Sequence, residues 1–293
     1  MNALTDGAQI LRAALWMSGA IASFTAMAVA GRAVSLEMDT FEIMMYRSMV
    51  GAVIVIVLAT ATGSLRQITR RSLEWHLMRN VFHFTGQNLW FLALTLIPLA
   101  QVFALEFTAP LWALLLAPLI LGERLTPARV GAAALGFVGI LIVARPSPDS
   151  ISIGILAAAA AAIGFAASAV TTRRLTRTET LTCILFHMTL MQTVLGLICA
   201  GADGDITLPS ATTMPWLALI AVCGLGAHYC LTTALSIAPA TIVMPVDFAR
   251  LPIIAIIGML FYDEPADALV FVGAAVIFVA NYLNIRLGTR RSA

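Results

Sequence analysis

One stretch of this chain is written twice. The first copy, ALTLIPLAQVFALEFTAPLWALLLAPLILGE, fills 93–123, and the second, ALSIAPATIVMPVDFARLPIIAIIGMLFYDE, fills 234–264, without a gap and at a constant offset of 141 (264 − 123). Pro98 falls on Pro239, Phe107 on Phe248, Glu123 on Glu264, and Glu106 on Asp247. The two halves must therefore take the same local structure. Each must also find a place for an acidic side chain in the middle of an apolar segment, where charge is costly.

The apolar character runs the length of the chain: 60% of residues are hydrophobic and 11% charged, against about 25% charged in soluble domains. Runs of about 20 apolar residues, the length that crosses a bilayer, fall at 11–30, 41–62, 75–97, 99–121, 128–144, 153–172, 181–200, 215–237, 240–262 and 268–286. The Pro/Ser-rich connector 145–152 leaves five on each side. An odd number makes the second copy enter the membrane from the opposite face. The expected fold is an all-α membrane protein of ten transmembrane helices, built as two inverted-topology repeats of five helices, 11–144 and 153–287, around a pseudo-two-fold axis in the membrane plane.

Loop arginines set the orientation. Arg12, Arg66, Arg70, Arg71, Arg124, Arg129, Arg173, Arg174, Arg177, Arg286, Arg290 and Arg291 fall on one side, and only Arg32 and Arg145 on the other. Both termini are expected in the cytoplasm, and the opposite loops are acidic (Glu37, Asp39, Asp203, Asp205, Asp263, Glu264, Asp267). Ala26-Met27-Ala28 and Ala28-Val29-Ala30 have the look of signal cleavage sites. The apolar run before them is too long and its leading charge too weak for that reading, so 11–30 is taken as a membrane helix.

Several classes of chemistry are excluded. All 17 basic residues are arginine, which removes the P-loop lysine and Schiff-base mechanisms. There is no H-E-x-x-H or G-x-S-x-G, so an intramembrane hydrolase lacks its metal set or nucleophile. His76, His83, His187 and His228 are spread over separate segments. Cys183, Cys199, Cys223 and Cys230 form no C-x-x-C pair and read as small buried hydrophobes. No cofactor and no metal is expected. A net charge of +2 and topology-setting arginines give no nucleic-acid surface. The expected partners are a small-molecule substrate and membrane lipid, with no oligomer required. Small residues at 157–162, Gly164, and from Gly131 through Gly139 suit close helix contacts.

The unit IPLAQVFALEFTAPLWALLLAPLILGERLTPARVGAAALGFVGILIVA and its second-half counterpart, with Ile97-Pro98, Ala238-Pro239 and the Gly122-Glu123-Arg124 helix end, resemble the EamA repeats of the drug/metabolite transporter superfamily. Within it the chain looks most similar to YddG-type exporters of neutral and aromatic amino acids. The resemblance implies alternating access around a midplane cavity in a bacterial inner membrane, with amino-acid export as the leading expectation. Uptake of a vitamin or nucleoside derivative is the alternative, and a non-transporting scaffold the alternative from another class. The small multidrug members carry a glutamate in their first helix; 11–30 has no carboxylate here.

Five ionisable groups fall at mid-depth: Arg47, Glu106, His187, Asp247 and Arg250. Counting from helix ends predicts one couple per repeat, Arg47 with Glu106 and His187 with Asp247, with Arg250 one turn from Asp247 and able to take its carboxylate. A site holding both signs suits a zwitterion. Gln87 and Asn88 align with His228 and Tyr229 at the same offset, where the resemblance places the cavity. Arg79 is expected to snorkel toward the cytoplasm. Pro110, Pro245 and Pro252 are hinge candidates, because proline removes a helix hydrogen bond.

Overall fold

A segment in hydrocarbon has to satisfy its own backbone hydrogen bonds, which an apolar chain does as helix. The computed structural model describes residues 7–122, 125–145, 152–202, 204–237 and 246–289, and among them the regular structure is helical throughout. The helices are α1 (Gly7–Val34), α2 (Thr40–Ala61), α3 (Leu73–Leu96), α4 (Leu99–Glu106), α5 (Ala109–Leu121), α6 (Pro127–Ala144), α7 (Ile153–Leu175), α8 (Leu181–Ala200), α9 (Met214–Ile237), α10 (Arg250–Tyr262) and α11 (Ala268–Thr289), with a 3-10 turn at Ser64–Gln67. Among the described residues, six stretches are long and apolar enough to cross a membrane, and the apolar parts of α6, α10 and α11 are shorter. Large apolar side chains cover the outside, among them Leu119, Leu260 and Phe261.

Local signals explain the helix ends. Asp39 accepts a hydrogen bond from the Glu42 N–H while the Glu42 carboxylate accepts one from the Asp39 N–H, a capping box that starts α2. Ser152 and Thr180 cap α7 and α8 through their hydroxyls. The 99–121 segment, expected as one helix, is broken at Phe107–Thr108 into α4 and α5. Pro110 lies in the first turn of α5, where its missing N–H leaves no intrahelical bond unmade. Pro252 occupies the first turn of α10 in the same way; Pro245 lies outside the described residues. The equivalent helices α5 and α10 end on equivalent left-handed residues, Gly122 (φ 69°) and Asp263 (φ 53°).

Packing follows the duplication. α1 lies along α9 as α7 lies along α3, and α2 pairs with α8 as α6 pairs with α11, so exchanging the two halves reproduces these pairings; α5 packs on α7 far more than its equivalent α10 packs on α1. Phe107 and Phe248, equivalent in the repeat, stack on each other with centroids 4.3 Å apart. Small residues set the close crossings. A methyl group on Gly164 would stand 2.8 Å from Gly86 Cα, and one on Gly139 would stand 2.8 Å from the Gly273 carbonyl oxygen. Gly131 has open space instead, so the expected small-residue contact begins further along α6.

Candidate functional site

The α4–α5 break brings Glu106 to the centre of the molecule, where it meets Arg250 at 3.2 Å. Arg250 also donates to Asp247 Oδ2 at 2.9 Å. The Arg250–Asp247 couple is therefore present as the sequence suggested. The guanidinium lies over Phe24, Phe103 and Phe107 at 4.7, 5.0 and 5.0 Å, an arrangement in which ring faces offset part of the desolvation of the cation. Trp90 Nε1 donates to the second Glu106 oxygen at 2.8 Å. One arginine thus serves two carboxylates, and Asp247 Oδ1 and Arg250 Nε keep no partner.

The other two expected couples do not form. Among the described residues Arg47 pairs with no carboxylate, and Glu106 instead joins its own repeat equivalent through Arg250. Counting depth along straight helices missed the break at Phe107–Thr108, and missed that equivalent residues face each other across the centre. His187 is buried on α8, stacks on His76 at 4.3 Å, and is not near Asp247.

Arg47 projects from α2 into a recess of about 20 Å³ lined by Ser48, Gly51, Met188, Thr189, Gln192, Ala221, Gly224, Leu225 and His228. That space holds about one water molecule, so any metabolite needs helix movement to enter. Arg47 is 9% exposed and its Nη1 is buried without a partner. Gly224 borders the guanidinium: a Cβ there would touch Arg47 Nη2 at 3.4 Å, an ordinary contact distance. His228 lies edge-on to Phe24 at 5.7 Å and 6.4 Å from the His83 ring. Phe24 therefore joins the Arg47 recess to the Arg250 cluster.

The face of α3 toward this region is a polar stripe at helical spacing, with His76, Arg79, Asn80, His83 and Gln87 all buried. Arg79 does not snorkel. Its Nε donates to Thr172 at 3.1 Å and its Nη1 to Asn80 at 3.0 Å, and Gln192 of α8 donates to the same Asn80 oxygen at 3.4 Å. These polar neighbours satisfy the guanidinium inside the bundle. Asn88 is buried but donates to the Phe84 carbonyl of its own helix, leaving Oδ1 unpartnered. Tyr229 departs most from expectation: it is 63% exposed, edge-on to Trp16, one step round α9 from His228 and outside the central group.

Two ends close over this centre. At one, Arg32 pairs with Glu264 and donates to the Leu94 and Ile97 carbonyls, while Glu264 accepts the Leu99 N–H at 2.8 Å. Arg145 pairs with Asp267 nearby, and that bond, opposed by partial burial, holds the Asp267 carboxyl below its ordinary range. At the arginine-rich end, Arg174 lies over Trp75 at 4.0 Å, and His76, Cys183 and His187 converge in the interior. The histidines that are scattered in sequence thus meet in pairs, and one cysteine has polar company.

Sequence reasoning missed Asn80, Gln192 and Phe24. The first was findable, because 76, 79, 80, 83 and 87 trace one face of a helix; the others depend on tertiary contact.

The model of the EamA-like transporter family matches residues 11–145 and 152–286. The chain is 35% identical over 224 residues to a riboflavin transporter of Brucella anthropi, covering 74% of this chain and 79% of that one. It is 24% identical over 265 residues to an S-adenosylmethionine uptake transporter of Rickettsia bellii, covering 90% of each. A solved crystal structure of 19% identity superposes with a TM-score of 0.64 over 96% of this chain and 99% of the other, a likeness of fold alone.

Proposed function

Because the chain belongs to the EamA-like transporter family, and is thus a multi-pass membrane transporter and not an enzyme, we propose that it carries a flat heteroaromatic metabolite of the riboflavin class. The proposed frame is ten membrane helices in two inverted repeats, 11–144 and 153–287, in a bacterial inner membrane with both termini in the cytoplasm. The halves rock about the Phe107–Phe248 contact, and the α4–α5 break is the hinge in place of a proline kink.

The observation that carries the reading is the recess at Arg47. A buried guanidinium with a free Nη1 edge, the Gln192 amide, the Ser48 hydroxyl and the His228 imidazole offer donors to the carbonyl edge of a heterocycle, whereas the Thr189 hydroxyl donates within its own helix. Phe24 and His83 supply ring faces beside it. A buried unpaired polar group costs about 1–3 kcal/mol and more if charged; a substrate carbonyl or carboxylate relieves that cost. Similarity to a riboflavin transporter supports the class of substrate.

Export of neutral or aromatic amino acids is the second reading. It is favoured by the shared Glu106–Arg250–Asp247 cluster, where a zwitterion can exchange partners with both signs of charge. Gln87, Asn88, Arg47 and His228 then line the path, and His187, Asp247, Glu106 and Arg250 move with the cycle; Tyr229 has no part in it. Flux into proteoliposomes of labelled riboflavin, S-adenosylmethionine and a panel of amino acids decides between the readings. Saturable riboflavin flux that unlabelled phenylalanine does not compete supports the first; flux of amino acids alone overturns it.

A further inference from the structure

We infer that the arginine-rich end of the bundle contains a binding site for a thiophilic divalent cation of the zinc type, formed by His76 of α3 and Cys183 and His187 of α8. The three side chains come from segments 107 and 4 residues apart in sequence, and all are buried, at 0%, 0% and 5% exposure. Their candidate ligand atoms lie within 4.8 Å of one another.

The spacing matches what a tetrahedral ion requires. With Zn–S of about 2.3 Å and Zn–N of about 2.0–2.1 Å, adjacent sulfur and nitrogen ligands stand about 3.6 Å apart. Here Cys183 Sγ is 3.6 Å from His187 Nδ1 and 3.9 Å from His76 Nε2. The two sulfur–nitrogen distances therefore need shifts of a few tenths of an ångström, while the histidine nitrogens, in a group whose ligand atoms span up to 4.8 Å, must close toward the roughly 3.4 Å of adjacent tetrahedral nitrogens by a turn of the His76 ring. His187 Nδ1 also faces the Cys183 carbonyl at 3.0 Å, a contact it gives up on binding. That carbonyl loses little, because it is the i−4 acceptor of the helix backbone. The Cys183 thiol proton leaves to solvent as the thiolate binds.

A carboxylate borders this cluster but is not among its three converging ligands, which leaves the fourth position of a tetrahedral ion to water. Glu179 is 9% exposed in the turn before α8 and interacts with the Cys183 thiol. Its Oε2 accepts from Thr69 Oγ1 at 2.8 Å, while its Oε1 is buried without a partner. His76 Nδ1 is likewise unpartnered. A hydrophobic cluster with one histidine would need neither. Two imidazoles and a thiolate suit Zn²⁺ over Mg²⁺ or Ca²⁺, which take oxygen sets.

The placement gives the site a consequence that rests on the proposed rocking of halves. His76 belongs to the first repeat and Cys183 and His187 to the second, so an ion clips together two bodies that have to part when this end opens. Occupancy would then slow transport.

The test separates the site from that consequence. Purified full-length protein in detergent is titrated with Co²⁺ as a spectroscopic stand-in for Zn²⁺, then with Zn²⁺ as competitor. The expected result is one Co²⁺ per chain with a thiolate-to-cobalt charge-transfer band in the near ultraviolet, displaced by Zn²⁺. Cys183→Ser should lose that band, while Cys230→Ser, at a cysteine remote from the cluster, should keep it. His76→Gln should lower affinity at least about tenfold. Absence of the band in the wild type, or its persistence in folded Cys183→Ser protein as judged by gel filtration, overturns the site. Flux is then measured with and without Zn²⁺. Inhibition in the wild type and its loss in Cys183→Ser supports the clip; a band without inhibition refutes the clip and leaves the site standing. Flux absent in every condition with the band intact contradicts the transport reading alone.

Discussion

Replacing Arg250 by glutamine removes the only cation that the described residues place within 4 Å of either Glu106 or Asp247. Glu106 Oε1 and Asp247 Oδ2 lie 3.2 and 2.9 Å from the same Arg250 nitrogen, so they are at most 6.1 Å (3.2 + 2.9) apart. Two unit charges at about 6 Å repel by about 2.8 kcal/mol at an effective dielectric of about 20. Loss of the shared partner adds to this, since orphaning a buried charge costs about 3–5 kcal/mol; protonation of one acid recovers part. The expected destabilisation is at least about 3 kcal/mol. Asp247→Asn keeps the Glu106 pair. It forfeits a charge-assisted hydrogen bond of about 1.5–3 kcal/mol but removes a repulsion of about the same size, so stability should change by about 1 kcal/mol or less. The assay is thermal unfolding in detergent, followed by tryptophan fluorescence. At about 2–4 °C per kcal/mol, Arg250→Gln should unfold roughly 6–12 °C lower, and adding Asp247→Asn to it should restore more than half of the loss. If Arg250→Gln unfolds no lower than Asp247→Asn, the shared-arginine account is wrong.

Asp263→Gly should raise the unfolding temperature slightly, by the equivalent of about 0.5–1 kcal/mol, because Asp263 holds the left-handed conformation that its counterpart Gly122 holds without a side chain; an unchanged or lower value counts against a strained cap. Gly164→Ala should lower the yield of folded protein, since its methyl meets the backbone of α3, whereas Gly131→Ala, with open space around it, should be silent by the same gel-filtration assay. Glu264→Gln should release the Arg32 latch and raise the rate at which a maleimide applied from the acidic end labels a cysteine placed at Gln101; equal rates in latched and unlatched protein refute its role in closing that end.

The duplication made the symmetry legible. Its offset makes Phe107 the equivalent of Phe248, α1 of α7 and α3 of α9, but that equivalent phenylalanines touch and that α1 lies on α9 came from the packing. Helix starts at Asp39, Ser152 and Thr180 were also readable, as local capping chemistry. Side-chain partnership was not: Arg250 was matched to Asp247 because they are one turn apart, but its second acid, Glu106, comes from a segment 144 residues away (250 − 106). Arg79 shows the same limit. Its distance from the helix end suggested exposure, and only the hydroxyl of Thr172 and the amide of Asn80 explain why it stays inside. Cys183 read as an inert hydrophobe because its meeting with His76 depends on how α8 packs against α3.

The central claim, that the transported molecule docks on Arg47, is tested most directly by riboflavin counterflow in proteoliposomes carrying wild-type or Arg47→Met protein, with unfolding temperature measured on the same preparations. Since Arg47 Nη1 has no protein partner, methionine should leave the fold as stable as before or more so, while counterflow falls at least tenfold, equivalent to about 1.4 kcal/mol of lost substrate or barrier interaction. Counterflow undiminished in stably folded Arg47→Met protein would contradict the account.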